Sequence, residues 1–380
     1  MLCVRLDSAG DVLLTGPAIR AVAAQAGVVL LAGPEGEAAA RLLPGPSQVL
    51  VWRCPWILAQ PGPTTASEIA MLIERLSGHA FDGALIFTSF HQSALPTALV
   101  LRMAAIPWVG AISTDYPGSL LDLRHLVEED IPEPERAGSL AAAAGFPLPP
   151  GDDGRLDVRH PLPAAASLVG EAPYVVLHPG TSVPARAWPR EHFRQAAELL
   201  AAAGWHVVVT GAPSETALTR EVASGGAAAS PHASSSMPPP PYGTNPRRWS
   251  ERAGSPGSVI DLGGRTDLAT LAAVLEGASA VVVGNTGPAH LAAAVGTPVV
   301  SLFAPTVPAV RWKPYGVPHV LLGDQEAVCR DSRVRQCPYP GHPCLTSVPP
   351  NKVVEAVNHL AGDPMDRPIR SEIPQEVTTS

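Results

Sequence analysis

Residues 283–304 constrain the fold of this chain more than any other stretch. An apolar run over 280–283 stops at Gly284-Asn285-Thr286-Gly287, and Pro288 then opens an alanine-rich helical segment. Gly296 ends that segment, and a second buried-type strand follows over 299–303. The order is strand, small-residue loop, helix, strand. Such a loop presents backbone N–H groups at a helix start, a setting that suits phosphate or another anion. One turn of this kind is a weak signal, because small residues also let a strand pack closely on a helix. Its weight comes from similar loops elsewhere in the chain.

Strand and helix signals alternate through both halves. The first half carries strand candidates at 2–6, 28–32, 48–52, 83–88 and 108–112, with helical stretches near 16–26, 35–43, 66–76, 93–104 and 137–144. Apolar, β-branched runs separated by helices predict a mostly parallel sheet covered on both faces. The series restarts at 174–177 and continues through a helix over 190–203, a strand over 205–210, a helix after Ser214, a strand over 258–262 and a helix over 267–276. At 380 residues the chain exceeds the usual span of one core. The expectation is therefore α/β, with two Rossmann-like domains of mostly parallel strands facing across a cleft. Domain one spans 1–165 and domain two 170–348, with a Ser/Pro-rich flexible insertion at 225–257. An amphipathic helix over 349–361 is expected near the domain junction, and a disordered polar tail over 362–380.

Several loops at strand ends are candidates for chemistry. After the first strand comes Asp7-Ser8-Ala9-Gly10-Asp11. A carboxylate at a helix start is commonly a cap, but it can also serve as a general base for an attacking hydroxyl. Asp11 is the candidate base and Asp7 its rival, with Ser8 and Gly10 on the same acceptor-side loop. After the strand at 174 comes His178-Pro179-Gly180-Thr181-Ser182, followed by Arg186 and Trp188. Thr181 and Arg186 can approach phosphate oxygens, while Trp188 reads as an anchor for the helix start. Asn285, Thr286, Gly287 and His290 complete a diphosphate-binding group, His290 lying one helical turn beyond Thr286. Gly211, Asp261, Gly263 and Thr266 sit in loops where a nucleoside can lie against backbone. Either Thr266 or Asp267 can also simply cap the following helix.

Composition excludes some classes. The formal net charge is −8, from 26 basic and 34 acidic residues, with no basic stripe, so nucleic acid is not an expected partner. No run reaches the roughly 20 apolar residues that span a bilayer. The chain opens on a strand candidate, so a cytoplasmic protein is expected, with peripheral contact at the inner face of the membrane left open. Cys3 and Cys54 read as small core residues. Cys329, Cys337 and Cys344 cluster with His342, and structural zinc, a labile disulfide and packed thiols are all compatible with that spacing.

In these patches the chain resembles the glycosyltransferase family that contains the ADP-heptose:lipopolysaccharide heptosyltransferases, glycosyltransferase family 9. The resemblance rests on residues 5–11 with Thr15-Gly16-Pro17-Ala18, on His178-Pro179-Gly180 with Arg186-Ala187-Trp188-Pro189, and on the Asn285–Ala293 segment. Phe303-Ala304-Pro305-Thr306 and Trp312-Lys313-Pro314 also fit. It implies a GT-B fold and an inverting glycosyltransferase without catalytic metal or other cofactor. An ADP-sugar donor would bind the C-terminal domain, and a glycan, lipid-linked glycan or small-molecule acceptor the N-terminal one, in a monomer. By that resemblance Asp11 is the base and Arg186 meets the diphosphate where relatives often carry Lys. Asn285 stands where many carry Asp, which argues against a role there that needs full negative charge. A GT-B nucleotide-sugar epimerase and a non-catalytic nucleotide-sugar-binding protein are the alternatives.

Overall fold

A computed structural model of the protein describes residues 1–58, 61–127, 130–170, 173–224 and 257–362. All of the expected insertion except Gly257, and the tail beyond Gly362, lie outside the described residues. The first sheet contains β1 (Leu2–Arg5), β2 (Val29–Ala32), β3 (Gln48–Val51), β4 (Ala84–Ile86), β5 (Val109–Ile112) and β6 (Leu123–His125). The second contains β7 (Tyr174–His178), β8 (His206–Val209), β9 (Val259–Asp261), β10 (Ala280–Gly284), β11 (Val299–Leu302) and β12 (His319–Leu322). Strand orders are β3-β2-β1-β4-β5-β6 and β12-β11-β10-β7-β8-β9. These are the same doubly wound order, traced in opposite directions. Every strand pair is parallel.

Parallel strands covered by helices on both faces bury nearly every side chain. In β1 all four residues are buried, Arg5 included, and Cys3 pairs in register with Leu30 on one side and Leu85 on the other. The helices Ala66–Ser77 and Leu95–Met103 cover one face of the first sheet through Leu72, Leu76, Ala98 and Leu101. On its other face lie the helices Ala9–Leu14, Gly16–Ala23 and Glu133–Ala143. Their apolar residues belong to one buried cluster that continues into the second half through Leu271, Val274, Ala289 and Leu291. The two halves therefore share a packed apolar interface. Among the described residues no helix is long and apolar enough to cross a membrane.

Three details differ from the sequence expectation. The helix start expected at Asp11 comes earlier, at Ala9, and this helix breaks from the one over Gly16–Ala23 at Thr15, whose hydroxyl donates to the Asp11 carbonyl at 2.9 Å. Strands β6 and β12 were not expected. The final helix, Pro350–Ala361, is not at the domain junction. It packs on the outer face of the second sheet against the helix Arg190–Ala202, burying Val353 and Val357 among Phe193, Leu200 and Val282. Its buried stripe of Val353, Ala356, Val357 and Ala361 forms the contact, and Asn358 accepts from the Trp205 indole at 3.1 Å.

Candidate active site

In a doubly wound sheet the strand order reverses at one point, and the loops leaving the two flanking strands diverge there to open a crevice. Those flanking strands are β1 and β4 in the first sheet, and β7 and β10 in the second. All four loops meet at one cavity of about 410 Å³. Gly10 and Asp11 come from β1, Phe90 and His91 from β4, Arg186 from β7, and Asn285, Thr286, Gly287 and His290 from β10. The two switch points thus face one another.

The approach is close because of glycine. A Cβ on Gly10 would stand 2.9 Å from His290 Cδ2 and 3.2 Å from Gly287 Cα. The start of the helix Ala9–Leu14 is thereby seated on the start of the helix Gly287–Ala294. Thr286 precedes that second helix in extended conformation (φ −138°, ψ 172°), and its side chain makes no capping bond. Thr286 donates its N–H to the Gly284 carbonyl at 2.8 Å, Ala289 to the Thr286 carbonyl at 3.0 Å, and Pro288 has none, so the positive end of the helix dipole is the main feature left for a ligand.

Asp11 sits in the first turn of its helix, but its carboxylate does not cap it. Oδ1 accepts from the Arg5 guanidinium at 2.9 Å, and Oδ2 accepts from the Ser8 hydroxyl at 2.8 Å. Burial pushes the Asp11 carboxyl upward, yet Arg5, the Ser8 bond and His290 together hold it below the ordinary aspartate range. Its side chain is still 21% exposed, so a ligand in the cavity can reach it. Asp7 differs. It is buried behind the cavity wall, accepts from Gln92 at 2.6 Å, and lies 2.9 Å from Arg5 Nε in an ion pair without hydrogen-bond alignment. Burial, reinforced by Asp11, raises its pKa.

Across the cavity, Arg186 donates to the Asn285 carbonyl at 3.3 Å, while its Nε, Asn285 Oδ1 and His290 Nδ1 are buried with no partner. Burial lowers the pKa of Arg186. It brings that of His290 down to about 4, so this imidazole is neutral near pH 7. Buried polar atoms without partners are costly and rare. Three of them beside one cavity mark a place for a polar ligand.

Other sequence candidates lie elsewhere. The Thr181 hydroxyl is engaged in a local turn, accepting from the Val183 N–H at 3.1 Å, and does not line the cavity. Gly211, Asp261, Gly263 and Thr266 gather at the ends of β8 and β9, also outside the lining. Asp261 accepts from the Gly263 N–H at 2.9 Å, and a Cβ on Gly263 would stand 1.9 Å from Thr219 Oγ1. Asp267, not Thr266, caps the next helix by accepting from the Thr270 N–H at 2.8 Å. Trp188 is an anchor, its indole donating to the Val348 carbonyl at 3.1 Å.

Residues the sequence reading did not single out are Phe90, His91, Arg333 and Arg335. Phe90 and His91 follow β4, and recognition of β4 as the switch-point neighbour of β1 would have found them. The Arg333 guanidinium stacks 4.1 Å above the Phe90 ring. The cysteine cluster holds no metal-type arrangement, since among the described residues no three His, Cys, Asp or Glu side chains converge suitably. Cys329, Cys337 and Cys344 are free thiols, and the His342 Nε2 is within 3.0 Å of the Ala185 carbonyl. Burial pushes the Cys344 thiol up to about 12. A larger pocket of about 880 Å³, between residues 160–170 and the helix Leu268–Glu276, has a mainly apolar wall and only His160 and Glu276 as charge-bearing groups.

Comparison with known proteins gives the family and the fold. The profile of Glycosyltransferase family 9 (heptosyltransferase) matches residues 69–231 and 248–342, more than half of the chain. The chain belongs to glycosyltransferase family 9. Lipooligosaccharide heptosyltransferase 2 of Haemophilus influenzae is 26% identical over 202 residues, covering 51% of this chain and 49% of that protein. Lipopolysaccharide heptosyltransferase 1 of Pseudomonas aeruginosa is 33% identical over 169 residues, covering 44% and 38%. The matches thus span half or less of these curated relatives. Among solved structures, the family 9 glycosyl transferase from Veillonella parvula superposes with a TM-score of 0.70 at 15% identity, covering 95% of this chain and 96% of that one. The Escherichia coli ADP-heptose lps heptosyltransferase II gives 0.67 at 20%, covering 95% and 98%. At these identities the likeness shows the fold, which is GT-B.

Proposed function

We propose that this family 9 protein is an inverting glycosyltransferase that moves heptose from an ADP-linked donor to a hydroxyl of a lipid-linked surface glycan at the inner face of the membrane. One observation carries the reading. A carboxylate from the switch point of the first sheet faces the unpartnered Arg186 Nε and His290 Nδ1 from the switch point of the second, across a cavity of about 410 Å³. The family and its relatives, named for lipopolysaccharide and lipooligosaccharide heptosyl transfer, supply the substrate class. The Escherichia coli heptosyltransferase WaaC, solved with ADP-2-deoxy-2-fluoro heptose, shares the fold at a TM-score of 0.62 and 21% identity.

In this reading the donor diphosphate lies between Arg186 and the start of the helix Gly287–Ala294. His290 supplies a hydrogen bond, the free Asn285 Oδ1 accepts from a donor-sugar hydroxyl, and the nucleoside extends toward Gly211, Asp261, Gly263 and Thr266. Thr181 supports that loop through its turn instead of touching phosphate. As the bond from the anomeric carbon to the β-phosphate oxygen breaks, charge grows on the diphosphate. Arg186 and the helix dipole stabilise it there. His290, being neutral, contributes as a hydrogen-bond donor and not as a cation. The acceptor oxygen forms its bond from the opposite face, and its proton passes to the Asp11 carboxylate. Charge neutralisation by protein groups makes a metal-free mechanism workable.

The test uses the full chain, ADP-heptose and heptose-deficient lipopolysaccharide, with ADP release as readout. Asp11→Asn is expected to keep donor affinity and lose turnover by ~10²-fold or more, the usual scale for a lost acid–base group. A variant that turns over at the wild-type rate removes Asp11 from the mechanism.

A further inference from the structure

The buried cation behind the cavity has no assigned role. Arg5 is the last residue of an otherwise apolar strand and is 2% exposed. A guanidinium in such a place needs compensation, and it has several partners. It donates to Asp11 Oδ1 at 2.9 Å and to the Ser89 hydroxyl at 2.9 Å, and its Nε lies 2.9 Å from Asp7 Oδ2. One cation therefore serves two carboxylates, of which only Asp11 lines the cavity. Ser8 holds the other Asp11 oxygen, so the carboxylate is fixed at both ends.

We propose that Arg5 is a positioning residue that keeps Asp11 oriented and ionised as the base, with Asp7 as a second, buried contact of the same guanidinium. The proposal rests on the reading of Asp11 as the base. Loss of Arg5 removes the attraction that favours ionised Asp11. Asp7, whose pKa lies above that of Asp11, is already neutral where Asp11 titrates, so its charge does not enter that step. The other charged groups around this network stay constant when Arg5 is replaced. They are His91 from the loop after β4, Arg186 from the turn after β7, His290 on the helix Gly287–Ala294, and Glu133 with its partner Arg136 beside Arg5. Asp11 sits below the ordinary aspartate range and Asp7 above it, as the unequal sharing requires.

The experiment is a pH titration of the full chain labelled with carboxyl-¹³C aspartate. The Asp11 signal is assigned by its loss in Asp11→Asn. ADP release from ADP-heptose, with heptose-deficient lipopolysaccharide as acceptor, is recorded over the same pH range. Arg5→Gln is expected to raise the Asp11 midpoint by about 1–3 pH units, the usual effect of a close opposite charge. Arg5→Lys, which keeps the charge but reaches fewer partners, is expected to raise it less and covers the case in which the Gln variant does not fold. Asp7→Asn is expected to leave the midpoint in place, because Asp7 is already protonated there. The acid limb of the rate profile should follow the midpoint in each variant. A midpoint that stays fixed in both Arg5 variants overturns the proposal. A midpoint that moves in the Arg5 variants while the acid limb stays still overturns the assignment of Asp11 as the base, on which it rests.

Discussion

At the scale of single residues, the site divides into groups that a sequence displays and groups that it hides. Asp11 and Arg186, which both line the cavity, stood out because each is a charge in a small-residue stretch that follows an apolar strand. Arg5 did not, because it falls inside the strand Leu2–Arg5 and borrows the pattern of its neighbours. Thr181 was misleading because a hydroxyl beside glycine suits both phosphate and a local turn, and the Val183 N–H took it. Arg186 offers the sharpest test at this scale. Its Nε has no partner and its other contact is a 3.3 Å bond to a backbone carbonyl, so the charge is held in place but not consumed. Arg186→Ala is expected to weaken ADP and ADP-heptose binding by about 1.5–3 kcal/mol, the scale of hydrogen bonds to charged groups. Calorimetry reads this directly, and an unchanged affinity refutes the contact with the diphosphate.

At the scale of elements, periodicity revealed the interior strands and missed two at sheet edges. β6 and β12 each form one edge of their sheet, and unlike the opposite edges β3 and β9 they were not expected: β6 is three residues long with Arg124 and His125 in it, and both β6 and β12 are only half-buried. A strand with one open edge and a short apolar run carries too little hydrophobic pattern to stand out from a loop. The helix Ala9–Leu14 begins two residues before the start expected at Asp11, for a different reason. Gly10 weakens helix propensity there, and its purpose becomes visible only when the second half of the chain is in place. The element pair Ala9–Leu14 and Gly287–Ala294 meets at Gly10 with no room for a methyl group, 2.9 Å from His290 and 3.2 Å from the Gly287 backbone. Gly10→Ala must push the two helix starts apart. Overpacking of this kind costs about 1–3 kcal/mol of stability. Turnover at saturating donor is expected to fall by at least about 10-fold, because Asp11 rides on the displaced helix and catalysis is sensitive to shifts of an ångström. Denaturant melts and ADP-release rates on the same variant separate the two effects. A variant that loses stability but keeps its full rate shows that the helix contact serves packing alone.

At the scale of the whole molecule, the two halves are joined by more than the apolar cluster. Arg311 of the second half ion-pairs with Asp130 and, at 3.4 Å, with Glu133 of the first, and it stacks 4.4 Å over Phe90. The Tyr315 hydroxyl donates to Glu135 at 3.2 Å. His290 is buried at this same junction, and His178 is buried within the second half beside Thr210. Burial brings both imidazoles from 6.5 down to about 4, so the folded chain keeps them neutral where the unfolded chain protonates them. Between about pH 6.5 and pH 4 the unfolded state therefore binds more protons, and stability must rise with pH across that window. The contribution is complete above pH 6.5 and is lost as pH falls toward 4. A shift from 6.5 to about 4 corresponds to about 3 kcal/mol for each histidine, at 1.36 kcal/mol per pKa unit. The lowered carboxyl of Asp11 adds loss in the same direction at still lower pH, whereas the raised one of Asp7 opposes it. Urea unfolding at intervals from pH 7 to pH 4.5 is thus expected to show a falling free energy. His178→Gln and His290→Gln should each flatten that slope by up to about 1.4 kcal/mol per pH unit, one proton's worth. A slope unchanged in His290→Gln would mean that this imidazole is solvated in the folded chain, either by water in the cavity it lines or by separation of the two halves.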